Sequence, residues 1–471
     1  MSQDVHGAAP QLPSGVTKTT PTGSATGGSS VEARRGFLKQ TGLGVAGAMA
    51  LNFATTPARA LGANERIRVG IIGCGGRAQS LARGFNGPGE SEIAYVCDPD
   101  ADRANAMAKS LSEGNGQDAP RAVDDLRKVL DDRSVHAVVV ATPDHWHAPA
   151  AIMACDAGKH VYVEKPCSHN LREGRLLVEA ARRNERVVQH GTQSRNSEMI
   201  ADAVQMLREG IIGDVLVAKA WNIQKRDNIG HAEPSEAPAS VDYDMWLGPS
   251  PHMPFQANRF HYKWHWWHNF GTGDMGNDGA HEIDYARWGL GVETHPTRIS
   301  GLGGKYFFDD DQQFPDTQQV AFEYPGDGAV GQKKMLIWEM RIWSTSYPYN
   351  VDSGAEFYGT AGKMFVSKRG KLQLFGHGTK RIDAKLKGEP AKLLSHVDDF
   401  LDAIRTNRRP NADIKLGHLS ASLCHLGNIS TRLGRSLEFD PQTETIAGDD
   451  EASRMLSRTY RGDHWAVPKG V

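Results

Sequence analysis

Ile67-Arg68-Val69-Gly70-Ile71-Ile72-Gly73-Cys74-Gly75-Gly76-Arg77-Ala78 decides the fold. The first half is short, apolar and β-branched, the composition of a strand buried on both faces. The second half spells G-x-G-x-x-A, with Ala78 in the third glycine place. Glycines here permit a tight turn and let backbone amides approach a pyrophosphate at the N-terminus of the following helix. The pattern gains its meaning from its setting. Helix-like sequence runs on to about Phe85, and a second strand, residues 92–97, ends at Asp98. A carboxylate at that distance from the glycines meets the adenosine ribose hydroxyls and repels a 2′-phosphate. NAD is therefore expected, with NADP the alternative because Arg103 stands nearby. Asp98 equally suits a helix N-cap before Pro99.

Strand and helix patterns then alternate. Helices are expected at 123–130, 148–157 and 171–183, and strands at 136–141, 159–163 and 186–190. This rhythm implies a doubly wound parallel sheet. The fourth of its expected strands runs through Val161-Tyr162-Val163 into Glu164-Lys165-Pro166. A cation delivered by the C-terminal end of such a strand lands in the ligand crevice, so Lys165 is placed at the reactive end of the cofactor. Farther on, Asn277, His281 and Asp284 fall at i, i+4 and i+7 of one expected helix, on a single face. Residues 318–324, 334–343, 355–358 and 363–367 read as strands, with Gly359-Thr360-Ala361-Gly362 as a hairpin connection. Residues 396–405 and 416–433 read as helices.

The chain has 471 residues and a formal net charge of −2, room for two domains and no footprint for nucleic acid. Its five cysteines, Cys74, Cys97, Cys155, Cys167 and Cys424, have no zinc or disulfide spacing and are expected as buried thiols. Residues 1–32 are Ser/Thr/Gly/Pro-rich and cannot bury a core. Arg34-Arg35-Gly36-Phe37-Leu38-Lys39, a mildly apolar run at 41–56 and Ala58-Arg59-Ala60 follow. Together they resemble a twin-arginine export signal, so a periplasmic protein is expected, with its mature chain beginning near Leu61. The apolar run is too short to span a membrane. His261, His265 and His268 lack a carboxylate or thiol to complete a metal set, and no metal is expected.

From Arg66 onward the chain resembles the Gfo/Idh/MocA oxidoreductases. The matching residues are Gly73 to Ala78, Asp98, Thr142-Pro143 with His147, Glu164-Lys165-Pro166 and Gly191-Thr192-Gln193. They continue with Gly271-Thr272-Gly273, His281-Glu282-Ile283-Asp284 and Phe357-Tyr358-Gly359-Thr360-Ala361-Gly362. The resemblance implies an N-terminal Rossmann domain (61–190) and a C-terminal α+β domain (191–395) with a large, open, mainly antiparallel sheet. Helices and a tail (396–471) would pack on both. It places Gly73, Gly75, Gly76, Arg77, Ala78, Asp98, Thr142, Pro143, His147, Glu164, Lys165 and Gln193 around NAD. An exposed face on a large antiparallel sheet often pairs with a copy of itself, so a homo-oligomer through the sheet is expected.

Catalysis is expected from Lys165 and His281. His281 takes a hydroxyl proton and Lys165 stabilises the alkoxide, although the amine could itself be the base. The family pattern carries Asp where this chain has Asn277. Asn277 can hydrogen-bond a hydroxyl but brings no charge, and Asp284 is expected to supply it to His281. Trp264, Trp266 and Trp267 are read as an aromatic platform for a sugar ring, and Arg195, Lys225 and Arg226 as substrate contacts. The polar stretch 225–240 is expected as a flap above them. The function expected is oxidation of a C–OH in a sugar, cyclitol or glycoside. Because free NAD(H) is not expected outside the cytoplasm, the cofactor should be tightly held and internally recycled. The alternatives are an NAD-dependent glycoside hydrolase or lyase using transient oxidation, and a non-catalytic carbohydrate-binding homologue.

Overall fold

The computed structural model describes residues 66–86, 90–115, 118–326, 332–388, 390 and 392–471. The export signal read from the sequence lies outside them. Among the described residues no helix is long and apolar enough to cross a membrane.

The first domain alternates β1 (Ile67–Ile72), α1 (Gly76–Phe85), β2 (Ser91–Cys97), α2 (Ala101–Asn115), β3 (Arg121–Val123) and α3 (Leu126–Leu130). It continues with β4 (Ala137–Val140), α4 (Asp144–Asp156), β5 (His160–Val163), α5 (Leu171–Arg183) and β6 (Val188–His190). The strands form one six-stranded sheet in the order β3-β2-β1-β4-β5-β6, with every pairing parallel. The order reverses between β1 and β4, the place where such sheets open a ligand crevice. Two expectations are corrected here. Residues 121–123 form a strand, so the helix begins only at Leu126, where Asp125 caps it by accepting from the Arg127 amide. Helix α4 begins at Asp144 rather than 148, because the Thr142-Pro143 turn leads straight into it.

The second domain holds α6 (Glu198–Arg208), β7 (Val215–Ile223), α7 (Tyr243–Leu247), α8 (Gly273–Asn277), α9 (Gly279–Leu290) and β8 (Arg298–Gly304). Next come β9 (Thr317–Tyr324), β10 (Lys334–Arg341), β11 (Ser353–Gly359), β12 (Gly362–Ser367), β13 (Lys371–Gly376) and β14 (Arg381–Ile382). The chain closes with α10 (Leu393–Thr406), α11 (Ile414–Leu433), β15 (Leu437–Asp440), β16 (Thr445–Ile446) and α12 (Asp450–Arg454). A ten-stranded sheet runs β14-β13-β12-β11-β7-β10-β9-β8-β15-β16. Only β7 and β10 pair in parallel; the other pairings are antiparallel. The hairpin at Thr360-Ala361 is as expected, with Gly359 opposite Gly362. The inner face buries Ala218, Ala220, Phe322, Leu336, Trp338 and Phe357 under Ile283, Ala286 and Leu290 of α9. Helix α10 crosses back to the first domain, where Val397, Phe400 and Ala403 share a core with Phe85 and Tyr162.

All five cysteines are free and buried. Burial raises the Cys155 and Cys167 thiols to about 12. A buried ionic cluster ties the β15–β16 turn to the helices. Glu444 accepts from Arg175, from His295 (2.8 Å) and from His418 (3.0 Å). Burial opposes its charge, but these three partners outweigh it and hold its carboxyl well below the usual range. A depressed folded-state pKa means the stabilisation is present above the unfolded value near 4.3 and is lost as pH falls below it. Glu444→Gln should therefore lose roughly 3 kcal/mol at neutral pH, as when one partner of a buried network is removed. The gap to wild type should close as pH falls below about 4, which melting curves across that range will read.

Candidate active site

A cleft of about 550 Å³ follows the C-terminal edge of the parallel sheet. It runs from Asp98, Pro99 and Arg103, past Gly73, Gly75, Gly76 and Arg77, to Glu164, Lys165 and Asn277. Gly73 has φ +90°, and a Cβ there would lie 2.6 Å from the Ala141 carbonyl oxygen, so only glycine fits the turn. A Cβ on Gly76 would meet nothing within 4 Å, which leaves the mouth of α1 open to the cleft. No side chain caps α1, so its first amides are free to take an anion. The Thr142 hydroxyl and Arg77 Nη2, both from residues lining the cleft, are buried without a protein partner. These donors fit a dinucleotide pyrophosphate. Ala78 is fully buried and serves helix–strand packing instead.

Asp98 lines the adenosine end. One of its oxygens accepts from the Cys74 amide (2.7 Å) and the other from the Asp100 amide (2.9 Å), so it also braces the glycine turn. A segment of the second domain closes over this end. Val241 bridges Asp100, Ala101 N donates to Ser240 O (2.9 Å) and Asp242 N donates to Pro99 O (2.9 Å). Met245, Trp246 and His261 complete the wall.

At the other end Glu164 is fixed by Arg77 Nε (2.6 Å) and by the Lys165 amide (3.1 Å). Burial disfavours its charge, yet Arg77 and Lys165 prevail and keep its carboxyl below the ordinary range. The His147 ring nitrogens lie 2.6 Å from Pro166 O and 2.8 Å from Thr142 O, so the ring, donating its N–H to a backbone carbonyl, sits between the two turns that carry the site. Gln193 stands in the turn after β6, beside Tyr162 rather than among the residues lining the cleft.

The Lys165 amine crosses to the second domain, where it donates to Asn277 O and, at 3.2 Å, to Asn277 Oδ1. The Asn277 amide in turn donates to Asp274 (3.1 Å). Arg226 joins Asp274 (2.9 Å), Asp278 and the Tyr262 hydroxyl (3.0 Å). Tyr262, Trp264 and His265 finish the wall opposite Lys165, with the rings of Trp264 and His265 stacked 3.6 Å apart.

His281 lies one turn beyond Asn277, half-buried and, like Gln193, not among the residues that line the cleft; its ring has no hydrogen-bond partner among the described residues. Burial first, then the charges of Lys368, Lys165 and Arg77, push its pKa well below the usual value. It is therefore a neutral imidazole, the form that accepts a proton.

Five expectations are corrected. Asn277 and His281 do not share one helix, since the chain breaks at Asp278 between α8 and α9. Asp284 does not serve His281. It is fully engaged by Arg195 Nε (2.7 Å), Arg195 Nη2 (2.9 Å) and the Ser420 hydroxyl (2.7 Å). Arg195 is by the same token a buried structural cation lying over Trp288, not a substrate contact. Trp266 and Trp267 are buried in the second domain's core, leaving only Trp264 of the three on the cleft. Stretch 225–240 is pinned rather than free, with Lys225 bridged to Trp343 and Arg226 N donating to Ile342 O (2.6 Å).

Sequence reasoning did not single out Tyr262, Asp274 or Lys368, and it weighed His265 only as a metal ligand. Lys368 continues the inward alternation of Met364 and Val366, a signal that period-two reading could have carried one step past the strand. Its amine pairs with buried Glu282 at 2.7 Å, directly behind His281.

Fold and cleft together define a two-domain protein with a Rossmann domain of the NAD-binding kind. Residues 67–192 match the oxidoreductase family's NAD-binding Rossmann fold and residues 220–467 its C-terminal alpha/beta domain. The chain belongs to the Gfo/Idh/MocA oxidoreductase family. A glycosyl hydrolase family 109 protein of Saccharopolyspora erythraea is 34% identical over 191 residues, 37% of this chain and 41% of that protein. A levoglucosan dehydrogenase of Pseudarthrobacter phenanthrenivorans is 26% identical over 235 residues, 48% of this chain and 52% of that protein. The chain thus spans about half or less of the length of these relatives. In fold it resembles levoglucosan dehydrogenase in complex with NADH (TM-score 0.60, 19% identity, 79% of this chain and 98% of that one). It also resembles aldose-aldose oxidoreductase from Caulobacter crescentus complexed with glycerol (TM-score 0.61, 16% identity, 80% and 100%).

The Asp284–Arg195 pair is a test of the corrected assignment. Asp284→Asn should cost roughly 3 kcal/mol of stability by stranding a buried guanidinium, while KM of the folded fraction stays near wild type. A large KM change at unchanged melting temperature would return Arg195 to the substrate.

Proposed function

We propose that this protein oxidises a carbinol of a sugar, cyclitol or glycoside with NAD and keeps the cofactor through turnover. The observation that carries the reading is the cleft itself: closed over its adenosine end by residues 240–246 and 261, and furnished at its inner end with the amine of Lys165. When bound, NAD supplies the hydride acceptor. Everything else falls to the chain. Lys165 is aimed by Asn277 and donates a hydrogen bond to the substrate oxygen, stabilising negative charge as it develops there. Neutral His281 receives the hydroxyl proton. Trp264 offers an apolar face to a sugar ring, and Tyr262 and His265 on the same wall offer hydroxyl partners. Asp98 at the ribose end supports NAD over NADP.

Export by the twin-arginine route belongs to the same proposal. A folded protein with a closed cleft would carry its cofactor to the periplasm, and turnover there would have to be redox-neutral. The 34% identical glycosyl hydrolase relative favours a second reading, in which transient oxidation at one carbon labilises a neighbouring glycosidic bond.

Acid denaturation of the purified protein should release stoichiometric NAD or NADH, identified by mass. Incubation with paired sugars and with aryl glycosides then separates the readings. A keto-sugar with a reduced partner marks hydride exchange, and free aglycone marks the second reading. Lys165→Ala should lower kcat/KM by about 10²–10³-fold, as for loss of one oxyanion donor, without changing the bound nucleotide's identity. Unchanged turnover in that variant would refute the mechanism.

A further inference from the structure

A second recess lies on the far side of the Gly271-Thr272 loop from the cofactor cleft. It is a groove of about 570 Å³ between α11, the start of α5 and the chain after α12. Thr272 links the walls of the two recesses. Thr272 gives its hydroxyl to Asp144 on the cleft side (2.6 Å), while its carbonyl accepts from Asn428 on the groove side (2.7 Å).

The charges of the groove do not cancel. Glu451, the one carboxylate on its wall, is taken by Arg435 from outside the groove (2.7 Å). Arg458 is taken by buried Glu173 (2.7 Å). Arg432 and Arg454 remain, and neither side chain makes an ion pair or hydrogen bond with any described residue. The floor is polar but uncharged. His169 binds the His268 carbonyl through Nε2 (2.9 Å), and its Nδ1 is buried with no partner. An unpaired buried acceptor is costly, so such an atom is a place where a ligand hydroxyl repays its desolvation. Burial holds His268 to about 4 and His425 to about 3, with Arg432 adding to the effect on His268, so both rings are neutral hydrogen-bonding groups at pH 7. The His268 and Phe314 rings meet edge to face at 4.4 Å and give the groove an apolar flank.

We infer that this groove binds an anionic sugar, its carboxylate or phosphate held by Arg432 and Arg454 and its hydroxyls by His169 and Asn428. The cation pair supplies charge-assisted bonds to the anion, and the ring flank accommodates the C–H face of a pyranose. The volume suits one or two sugar units. A carboxylate and a phosphate share the chemistry the arginines recognise, so the experiment decides between them.

The test is calorimetric titration of the full-length holoprotein at fixed ionic strength with glucuronate, glucose 6-phosphate, inorganic phosphate and glucose. At least one of the two anionic sugars should bind, and more tightly than glucose. The one that binds identifies the anion. Arg432→Ala with Arg454→Ala should weaken that binding by roughly tenfold or more, and the paired lysine variant should restore part of it. Both arginines are exposed, so neither change threatens the fold. Lys165→Ala should leave the affinity intact, which separates this groove from the catalytic cleft and from the proposed reaction. Equal affinity in the double alanine variant, absence of binding by both anionic sugars, or inorganic phosphate binding as tightly as the phosphosugar would overturn the inference.

Discussion

The amine of Lys165 joins the two lobes where the chemistry is proposed to happen. A cation carried into a half-buried cleft needs acceptors, because leaving it unpaired would cost several kcal/mol. The acceptors are the main-chain and side-chain oxygens of Asn277. The main-chain oxygen is available for a specific reason. His281 N donates to Asp278 O, three residues back, instead of reaching Asn277 O four back. Close packing holds the break in place. A Cβ on Gly276 would overlap Thr272, and one on Gly279 would overlap Trp338, so the chain can lie this near its neighbours only with glycine on both sides of Asp278. The kink, the free carbonyl and the aim of the lysine are one arrangement.

The same arrangement accounts for Asn277 where the family pattern has Asp. Its amide oxygen faces Lys165 and its amide nitrogen donates to Asp274. An aspartate at 277 would lose that donor and place a second carboxylate against Asp274, which is already fully buried. The negative charge of the site has moved to Asp274 and Asp278, with Arg226 between them as counter-ion. What reads from the sequence as a lost charge is, in space, a charge displaced by less than one helical turn in either direction.

Local chemistry decided what could be read from the chain. The glycine turn, the strand into Glu164-Lys165-Pro166 and the helix bearing His281 are each contained in a few consecutive residues, and each was legible. Strand β7 was not, because Val215–Ile223 is covered on both faces at its end and shows no clean alternation. Strand β8 was not, because its sequence, RISGLGG, resembles a turn. The bond between Arg195 and Asp284 joins elements far apart in sequence, and no local pattern records a buried ion pair. Trp264, Trp266 and Trp267 look alike in composition. A tight turn at 261–266 sends the first to the cleft and the others to the core, and that depends on where the turn begins.

That turn begins at His261, a non-glycine residue at φ +51°. Such a backbone costs of order 1 kcal/mol and persists only where its surroundings over-determine it. Here the surroundings are both ends of the cofactor cleft. The His261 ring reaches Asp100 at 3.5 Å, beside the adenosine end, while the residues immediately after it, Tyr262, Trp264 and His265, form the wall facing Lys165. One short turn therefore closes the cofactor in and shapes the surface proposed to meet the substrate. Opening the adenosine end would draw on the same backbone that positions the wall. A cleft built this way would couple cofactor retention to the geometry of the reacting end, which is what the proposed regeneration of the cofactor in place requires.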